Sequence, residues 1–387
     1  MFQVGKPVSG KNFYDRTAMK KEVQKYISSN QDFMIKAPRR YGKTSLIKEV
    51  LKDKEYIYID IRRAYNISKL PNEIIQKAYE IAGIKSIINK IQDNVVKFLS
   101  NIKGQVKIDY KIIEASAEYI SKKKEIDSCE DLIIALHTVE DIAKSLNQTI
   151  IIVFDEFQDI KKFKCKSGDI LEVLRGTLQH FEYVHTIFLG SIESIMTNIF
   201  ENKKSPFFNY CRKLKLKEFD IDELSYELVD AFKLKGICFE DKEDFIKLLE
   251  VLNGHPANTM IVMQNLYFLM LDQETKTIKQ DDLYQAYENG YYEMIDLVEQ
   301  YIIEIKDKKH YHEVLYNIAN KKSSSLSPQA LHQVKKGLLD MGYLQKIDKG
   351  EYRIIDNFLE VYLFDSTNNS HFLINNFKTV WLQRISY

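Results

Sequence analysis

The run TIIIVFDEFQDI constrains the fold more than any other stretch of this 387-residue chain. Thr149 to Phe154 is almost uninterruptedly apolar, so both faces of the strand it forms must be covered, as they are for a strand inside a parallel sheet. Comparable runs at Asp32 to Ile35, Tyr56 to Ile61 and His185 to Leu189 supply further buried strands. Helical patterns alternate with them at Arg16 to Ser28, Thr44 to Asp53 and Pro71 to Ala82. From Phe33 to about Gly190 the alternation predicts an α/β core, a parallel sheet wrapped by helices.

The length exceeds what one hydrophobic core usually serves, so two or three domains are expected. From Asp222 to about Ile305 the pattern is wholly helical, with amphipathic stretches at Asp222 to Lys235, Lys242 to Leu252, Ala257 to Leu271 and Gln280 to Glu299. There follow a helix near His310 to Ala319, the polar turn KKSSSLSP, a helix from Ser327 to Met341, and the hairpin YLQKIDKGEYRII turning at Asp348 to Gly350. Two helices and a two-stranded wing predict a winged-helix-like module. The expected division is 1–216 for the α/β core, 217–304 for a helical lid and 305–387 for the winged-helix-like part. Within the core, QVKIDYKI (Gln105 to Ile112) alternates with a period of two, and Ala115, Ala117 and Tyr119 continue it. That predicts a β-hairpin inserted in a segment of about 83–130.

Composition narrows the partners. The chain is 45% hydrophobic and 29% charged, and 56 Lys plus Arg balance 55 Asp plus Glu to leave +1. No global field favours nucleic acid or a membrane, so any basic surface is local. Cys129, Cys165, Cys211 and Cys238 form no CxxC pair, which argues against a zinc ribbon or a redox motif and for a reducing, cytoplasmic setting. The N-terminal residues lack an apolar signal core, and the longest apolar run, Ile150 to Phe154, is too short to span a bilayer. A membrane partner is not expected.

The string APRRYGKTS follows the first strand and opens a helix, the context in which a loop holds phosphate against backbone N–H groups and a helix N-terminus. Ala37, Pro38, Arg39, Arg40, Tyr41, Gly42, Lys43, Thr44 and Ser45 are therefore candidate nucleotide-binding residues. Gly42 permits the tight backbone path, Lys43 reaches the β- and γ-phosphates as a point charge, and the Thr44 hydroxyl can ligate magnesium. The pattern GxxxxGK followed by Ser or Thr has Ala37 in place of its first glycine, so the start of the loop must avoid a positive φ. Read alone, KAPRRYGKT is also compatible with a basic surface loop.

The second motif favours the phosphate reading. Asp155 and Glu156 stand at the end of the apolar strand, where α/β sheets bind ligands. Asp155 is the candidate magnesium ligand, and Glu156 the candidate catalytic base that polarises an attacking water. A third strand, HTIFLG, ends at Ser191. Ser191 is either a sensor of the γ-phosphate or the cap of a helix from Ile192 to Phe200.

Taken together, GKPVSGKNFYDR, APRRYGKTS, FDEFQDI, LGSIES, SPFFNYCRKLKLKEF and NGHPANTM resemble the AAA+ superfamily of P-loop ATPases. The nearest resemblance is to the archaeal-type ATPases, relatives of STAND signalling ATPases and origin-recognition ATPases. It implies a three-layer AAA+ core, a helical lid and a C-terminal winged helix. It also implies an adenine contact at Arg16, where the family's Gly-Arg reads Asp15-Arg16, and a lid turn at Gly254, His255 and Pro256 closing over the base. Arg212 matches a position where relatives often carry an arginine, which implies either a finger on a nucleotide, in this chain or a neighbouring subunit, or an exposed basic residue of the alternating strand Lys213 to Lys217. DNFLEVYLF resembles the segment that follows the family's wing, although KKSSSLSPQ leaves little room for a full second helix.

The expected function is an ATP-binding, magnesium-dependent ATPase, slow or partner-stimulated, whose lid and winged helix relay the ATP or ADP state to a protein partner or to a further copy of the chain. An alternative is a DNA-binding ATPase of a mobile-element, replication or defence system, acting through Lys321, Lys322, Lys335 and Lys336. Residues 301–387 hold twelve Lys or Arg against nine Asp or Glu, a net +3 that does not demand a phosphate partner. A further alternative is a non-hydrolysing nucleotide-binding scaffold.

Overall fold

The computed structural model describes residues 2–62, 69–82, 128–162, 165, 168–274, 276–348 and 350–365. The hairpin expected at Gln105 to Ile112 lies outside them. The chain divides into two compact units, one of Lys21–Lys36 with Val50–Lys215, the other of Met1–Lys20, Ala37–Glu49 and Leu216–Tyr387.

The first of these holds a five-stranded sheet. Its strands are β1 (Phe33–Lys36), β2 (Tyr56–Asp60), β3 (Ile150–Asp155), β4 (Val184–Gly190) and β5 (Arg212–Lys215). They run in the order β2-β3-β4-β1-β5, and every pairing is parallel. β3 is buried at all six positions, as its unbroken apolar run requires, whereas β2 at the sheet edge alternates half-buried and buried residues. Because all strands are parallel, Asp155 at the end of β3 and Gly190 at the end of β4 share the carboxyl edge. Arg212 opens β5 opposite Phe33, the first residue of β1, and so stands at the amino edge.

Helix α1 (Thr17–Ser28) precedes β1, and α2 (Lys43–Val50) follows the loop after β1, ending three residues before the expected Asp53. Helices α3 (Lys69–Ala82), α4 (Ser128–Leu146), α5 (Ile170–Leu178) and α6 (Glu193–Phe200) complete the sequence through β4 and beyond. α4 was not among the expected helices, yet Leu132, Ala135, Leu136, Val139 and Ala143 are fully buried at three- and four-residue spacing. Phe154, Phe157, Phe188, Phe200 and Phe207 form an aromatic cluster in this core, with Phe157 4.6 Å from Phe188. Two aromatic anchors, Phe154 and Phe157, thus bracket Asp155 and Glu156.

Cys129 on α4 and Cys165 form a disulfide across 36 residues, while Cys211 and Cys238 are free. Sequence spacing could not show the pair, because α4 and the segment after β3 meet only in the folded core.

The other unit is mainly helical: α7 (Ile221–Lys233), α8 (Lys242–Val251), α9 (Pro256–Asp272) and α10 (Gln280–Lys306). Asp220 and Asp241 cap α7 and α8 by accepting from Glu223 and Glu243 backbone N–H groups. Two-residue strands β6 (Cys238–Phe239) and β7 (Thr277–Ile278) pair in parallel between them. α10 extends past the expected Glu299 because its buried stripe continues through Ile302 and Ile305. Next come α11 (Tyr311–Ala319), α12 (Pro328–Met341), the antiparallel pair β8 (Leu344–Asp348) and β9 (Glu351–Ile354), and α13 (Asn357–Asp365). Ser327 caps α12, and Gly342 at φ 79° ends it. Among the described residues no helix is long and apolar enough to cross a membrane.

Candidate functional site

The loop Ala37 to Gly42 joins the carboxyl end of β1 to the first residue of α2. Its left-handed residues are Arg40 (φ 67°) and Gly42 (φ 82°). Ala37 has no positive φ, so a side chain at the motif's first position carries no backbone cost. The Lys43 ammonium donates to the carbonyls of Ala37 (2.8 Å) and Pro38 (2.9 Å), and the loop therefore curls around it. Thr44 is half-buried in the first turn of α2. Ser45 is used structurally: its hydroxyl accepts from the Val8 N–H at 3.1 Å. Pro38 is buried and Arg39 exposed.

Arg16 reaches the same loop. Its guanidinium donates to the carbonyls of Glu218 (3.0 Å) and Tyr41 (3.4 Å) and lies over the Phe219 ring at 4.6 Å. Burial lowers its pKa to about 10, offset by Asp15 and Glu218, so it stays charged at neutral pH. Asp15 is left-handed, φ 47°. An aspartate tolerates this because its carboxylate accepts locally from the Arg16 N–H, and it also accepts from the distant Asp220 N–H.

The turn Gly254-His255-Pro256 packs on the same residues. Gly254 has φ 60°, and a Cβ there would stand 2.6 Å from the Phe219 carbonyl oxygen. Its own carbonyl accepts from the Phe219 N–H at 2.9 Å. His255 caps α9 by accepting from Asn258 N–H through Nδ1 (3.3 Å), and its ring meets Tyr41 edge-on at 5.1 Å. Burial pulls the His255 pKa down to about 4, with Asp356 opposing the shift, so the ring is neutral and its Nδ1 can accept. Pro256 takes the first helical turn, where no N–H is missed.

The acidic residues form a separate hydrogen-bonded group at the carboxyl edge of the sheet. Asp155 accepts from the Glu156 N–H at 2.8 Å and from the Tyr58 hydroxyl of β2. Glu156 is left-handed, φ 54°. Its Oε2 accepts from the Ser191 hydroxyl and from the Gln158 amide, and Arg62 Nη2 lies 3.2 Å away. Gln158 also donates to Ser191 Oγ at 3.2 Å and accepts from Ser191 N–H at 3.3 Å. Arg62 extends to Asp159 at 3.4 Å. Ser191 does not cap the following helix, since Ile192 is the residue at that cap. Gly190 before it leaves room for Met196 and Gln158: a Cβ there would strike Met196 and lie 2.8 Å from Gln158 Oε1, so both side chains would have to shift.

Asp155, Glu156 and Ser191 are thus brought together, and Arg212, exposed at the amino edge of β5, is not brought to them. Arg62, Tyr58 and Gln158 were missed in the sequence. Only Arg62 carried a signal, as a cation just beyond the end of an apolar strand; Tyr58 and Gln158 are ordinary residues in their local pattern.

Residues 13–262 match the family described as an ATPase domain predominantly from Archaea, about two thirds of the chain. The chain belongs to this family. The Walker-type ATPase PABY2304 of Pyrococcus abyssi is similar in fold, with TM-score 0.67, 18% identity and coverage of 94% of this chain and 99% of that one. The ORC2 protein of Aeropyrum pernix, solved as ADPNP–ADP complexes, gives TM-score 0.56 and 11% identity over 98% of both chains. No curated protein matches in sequence. This member of the archaeal ATPase family therefore has a parallel five-stranded α/β core and a helical C-terminal region, and it shares its fold with those two solved structures.

Proposed function

We propose that this archaeal-type ATPase binds ATP and hydrolyses it to ADP and phosphate, working as a cytoplasmic AAA+ switch of STAND type. The observation that carries the reading is the position of Glu156: a carboxylate at the carboxyl edge of β3, hydrogen-bonded by Ser191 from the end of β4 and ion-paired with Arg62. In this reading Lys43 and the loop N–H groups bind the β- and γ-phosphates, while Arg16 and the Gly254 to Pro256 turn flank the base. Water attacks the γ-phosphorus, Glu156 accepts the water's proton, and the bond to the β-phosphate oxygen breaks to release ADP. Arg62 must release Glu156 for that step, and in this reading Ser191 senses the γ-phosphate through the carboxylate it hydrogen-bonds.

Thr44 and Asp155 are the residues that would hold magnesium. Their donor set, a hydroxyl and a carboxylate whose oxygens are fixed by Tyr58 and the Glu156 N–H, suits a hard cation that keeps waters and phosphate oxygens as its other ligands. When bound, magnesium neutralises charge on the phosphates. Arg212 stands at the amino edge of the sheet, opposite the edge that carries Glu156, so in this reading its finger role is toward a neighbouring copy.

The test is a pair of substitutions. Lys43→Ala should abolish both nucleotide binding and turnover, and Glu156→Gln should retain binding while losing turnover by about 100-fold or more. Binding with no turnover in the unsubstituted protein would favour the non-hydrolysing scaffold. A second reading, DNA binding through α12 and the β8–β9 hairpin, is favoured by Lys336, exposed, beside Lys335, which lies 4.4 Å over Tyr352. Lys335→Glu with Lys336→Glu should then abolish a salt-sensitive DNA retardation, and absence of retardation at low salt rejects it.

A further inference from the structure

Arg40 lies in the phosphate loop, two residues before Gly42, but its side chain is not turned toward the loop's own backbone. Nη2 lies 3.3 Å from Met294 Sδ on α10, and Nη1 stands 3.9 Å from Asp356 Oδ2, just ahead of α13. The Tyr301 hydroxyl is a further partner of the guanidinium. Nη1 is buried and has no hydrogen bond. Asp356 is the carboxylate that compensates it.

Asp356 is itself held. Its Oδ1 accepts from Asn258 Nδ2 (2.8 Å) and from the Phe358 N–H (3.0 Å), which fixes the carboxylate with Oδ2 toward Arg40. Asn258 also donates to Asn357 Oδ1 at 2.7 Å, and Asn357 donates to the Tyr287 hydroxyl at 3.2 Å. Asn258 and Asn357 are fully buried. The Asn258 N–H is the one that His255 caps. A continuous polar chain therefore runs from the loop's Arg40 through Asp356 and Asn258 to the Gly254 to Pro256 turn, all within one compact unit.

We infer that Asp356 is a positioning residue for the phosphate loop, holding Arg40 by charge and so fixing the left-handed turn that leads into Gly42 and Lys43. Removing one partner of a largely buried pair is costly because the other charge is left uncompensated. At 3.9 Å the contact is an ion pair without a hydrogen bond, so an anion arriving at the loop competes with Asp356 for Arg40. Loop occupancy and the segment from Tyr343 to Phe358 are thereby coupled, and the coupling must act in both directions. The identity of that anion as a nucleotide phosphate rests on the function proposed above; the positioning role does not.

Hydrogen exchange on the full chain tests it without nucleotide. Asp356→Asn keeps the size and the acceptor of the side chain and removes only its charge. The Tyr41, Gly42 and Lys43 amides should exchange about tenfold faster in this variant, and Asp356→Glu should recover most of the protection although it fits the space less well. In an Arg40→Gln background, Asp356→Asn should add nothing further. A loop unchanged in Asp356→Asn, or an equal increment in both backgrounds, overturns the inference; so does better protection in Asn than in Glu, the order a purely packing role gives. If Asp356→Asn fails to fold, Arg40→Gln alone must show the same loop loosening. ADP added to the unsubstituted chain should alter exchange at Tyr343 to Phe358, and in Asp356→Asn it should not. ADP that binds and alters exchange equally in both rejects the coupling, whereas absence of ADP binding rejects the proposed function and leaves the nucleotide-free loop comparison to decide the positioning role.

Discussion

Gly254 shows how one residue joins backbone conformation to the geometry of the Gly254 to Pro256 turn. Its φ of 60° and the Phe219 oxygen 2.6 Å from a would-be Cβ act against any side chain. Gly254→Ala should therefore destabilise the protein by about 2 kcal/mol or more, measured by urea denaturation. His255 makes a second prediction at the same turn. Its folded pKa of about 4 lies below the unfolded value of about 6.5, so between these limits the unfolded chain binds the extra proton. Its contribution is fully present above pH 6.5 and is lost as pH falls toward 4, by roughly 2–3 kcal/mol. His255→Asn, which retains a capping acceptor, should flatten that part of the pH–stability curve; an unchanged slope would assign it to other groups. Legibility at this scale followed locality. Lys43, Thr44, Asp155 and Glu156 are singled out as candidates by their neighbours in sequence, whereas Arg62 and Asp356 are distinguished by partners 94 and 316 residues away, Glu156 and Arg40.

At the scale of elements, periodicity located most strands and helices to within a few residues, because each buries a face whose spacing is set by its own geometry. β3 is the clearest instance, buried along its length as its composition demands. The order β2-β3-β4-β1-β5 was not legible, since it depends on crossovers that no local pattern encodes. Nor was the Cys129–Cys165 link, which ties α4 to the chain beyond the Asp155–Glu156 turn. Thiol titration of the unfolded, unreduced protein should count two thiols, and four after reduction. By loop-closure entropy, the disulfide across 36 residues stabilises the fold by up to about 4 kcal/mol, so Cys129→Ser with Cys165→Ser should lower the denaturation midpoint. Four thiols before reduction would contradict the pairing.

At the scale of the whole molecule, a ligand that binds only the folded chain must stabilise it by mass action. Mg-ATP at 100 times its dissociation constant should add about 2.7 kcal/mol, visible as a rise in Tm, and Lys43→Ala should show no rise. The family match spans residues 13–262, and the segment just ahead of α13 meets the loop after β1 through Asp356 and Arg40. The measurement that bears most directly on the account is steady-state ATP hydrolysis paired with nucleotide binding for the unsubstituted chain and Glu156→Gln. The account predicts equal binding and turnover reduced by about 100-fold or more in the variant. Equal turnover in the two proteins would contradict it.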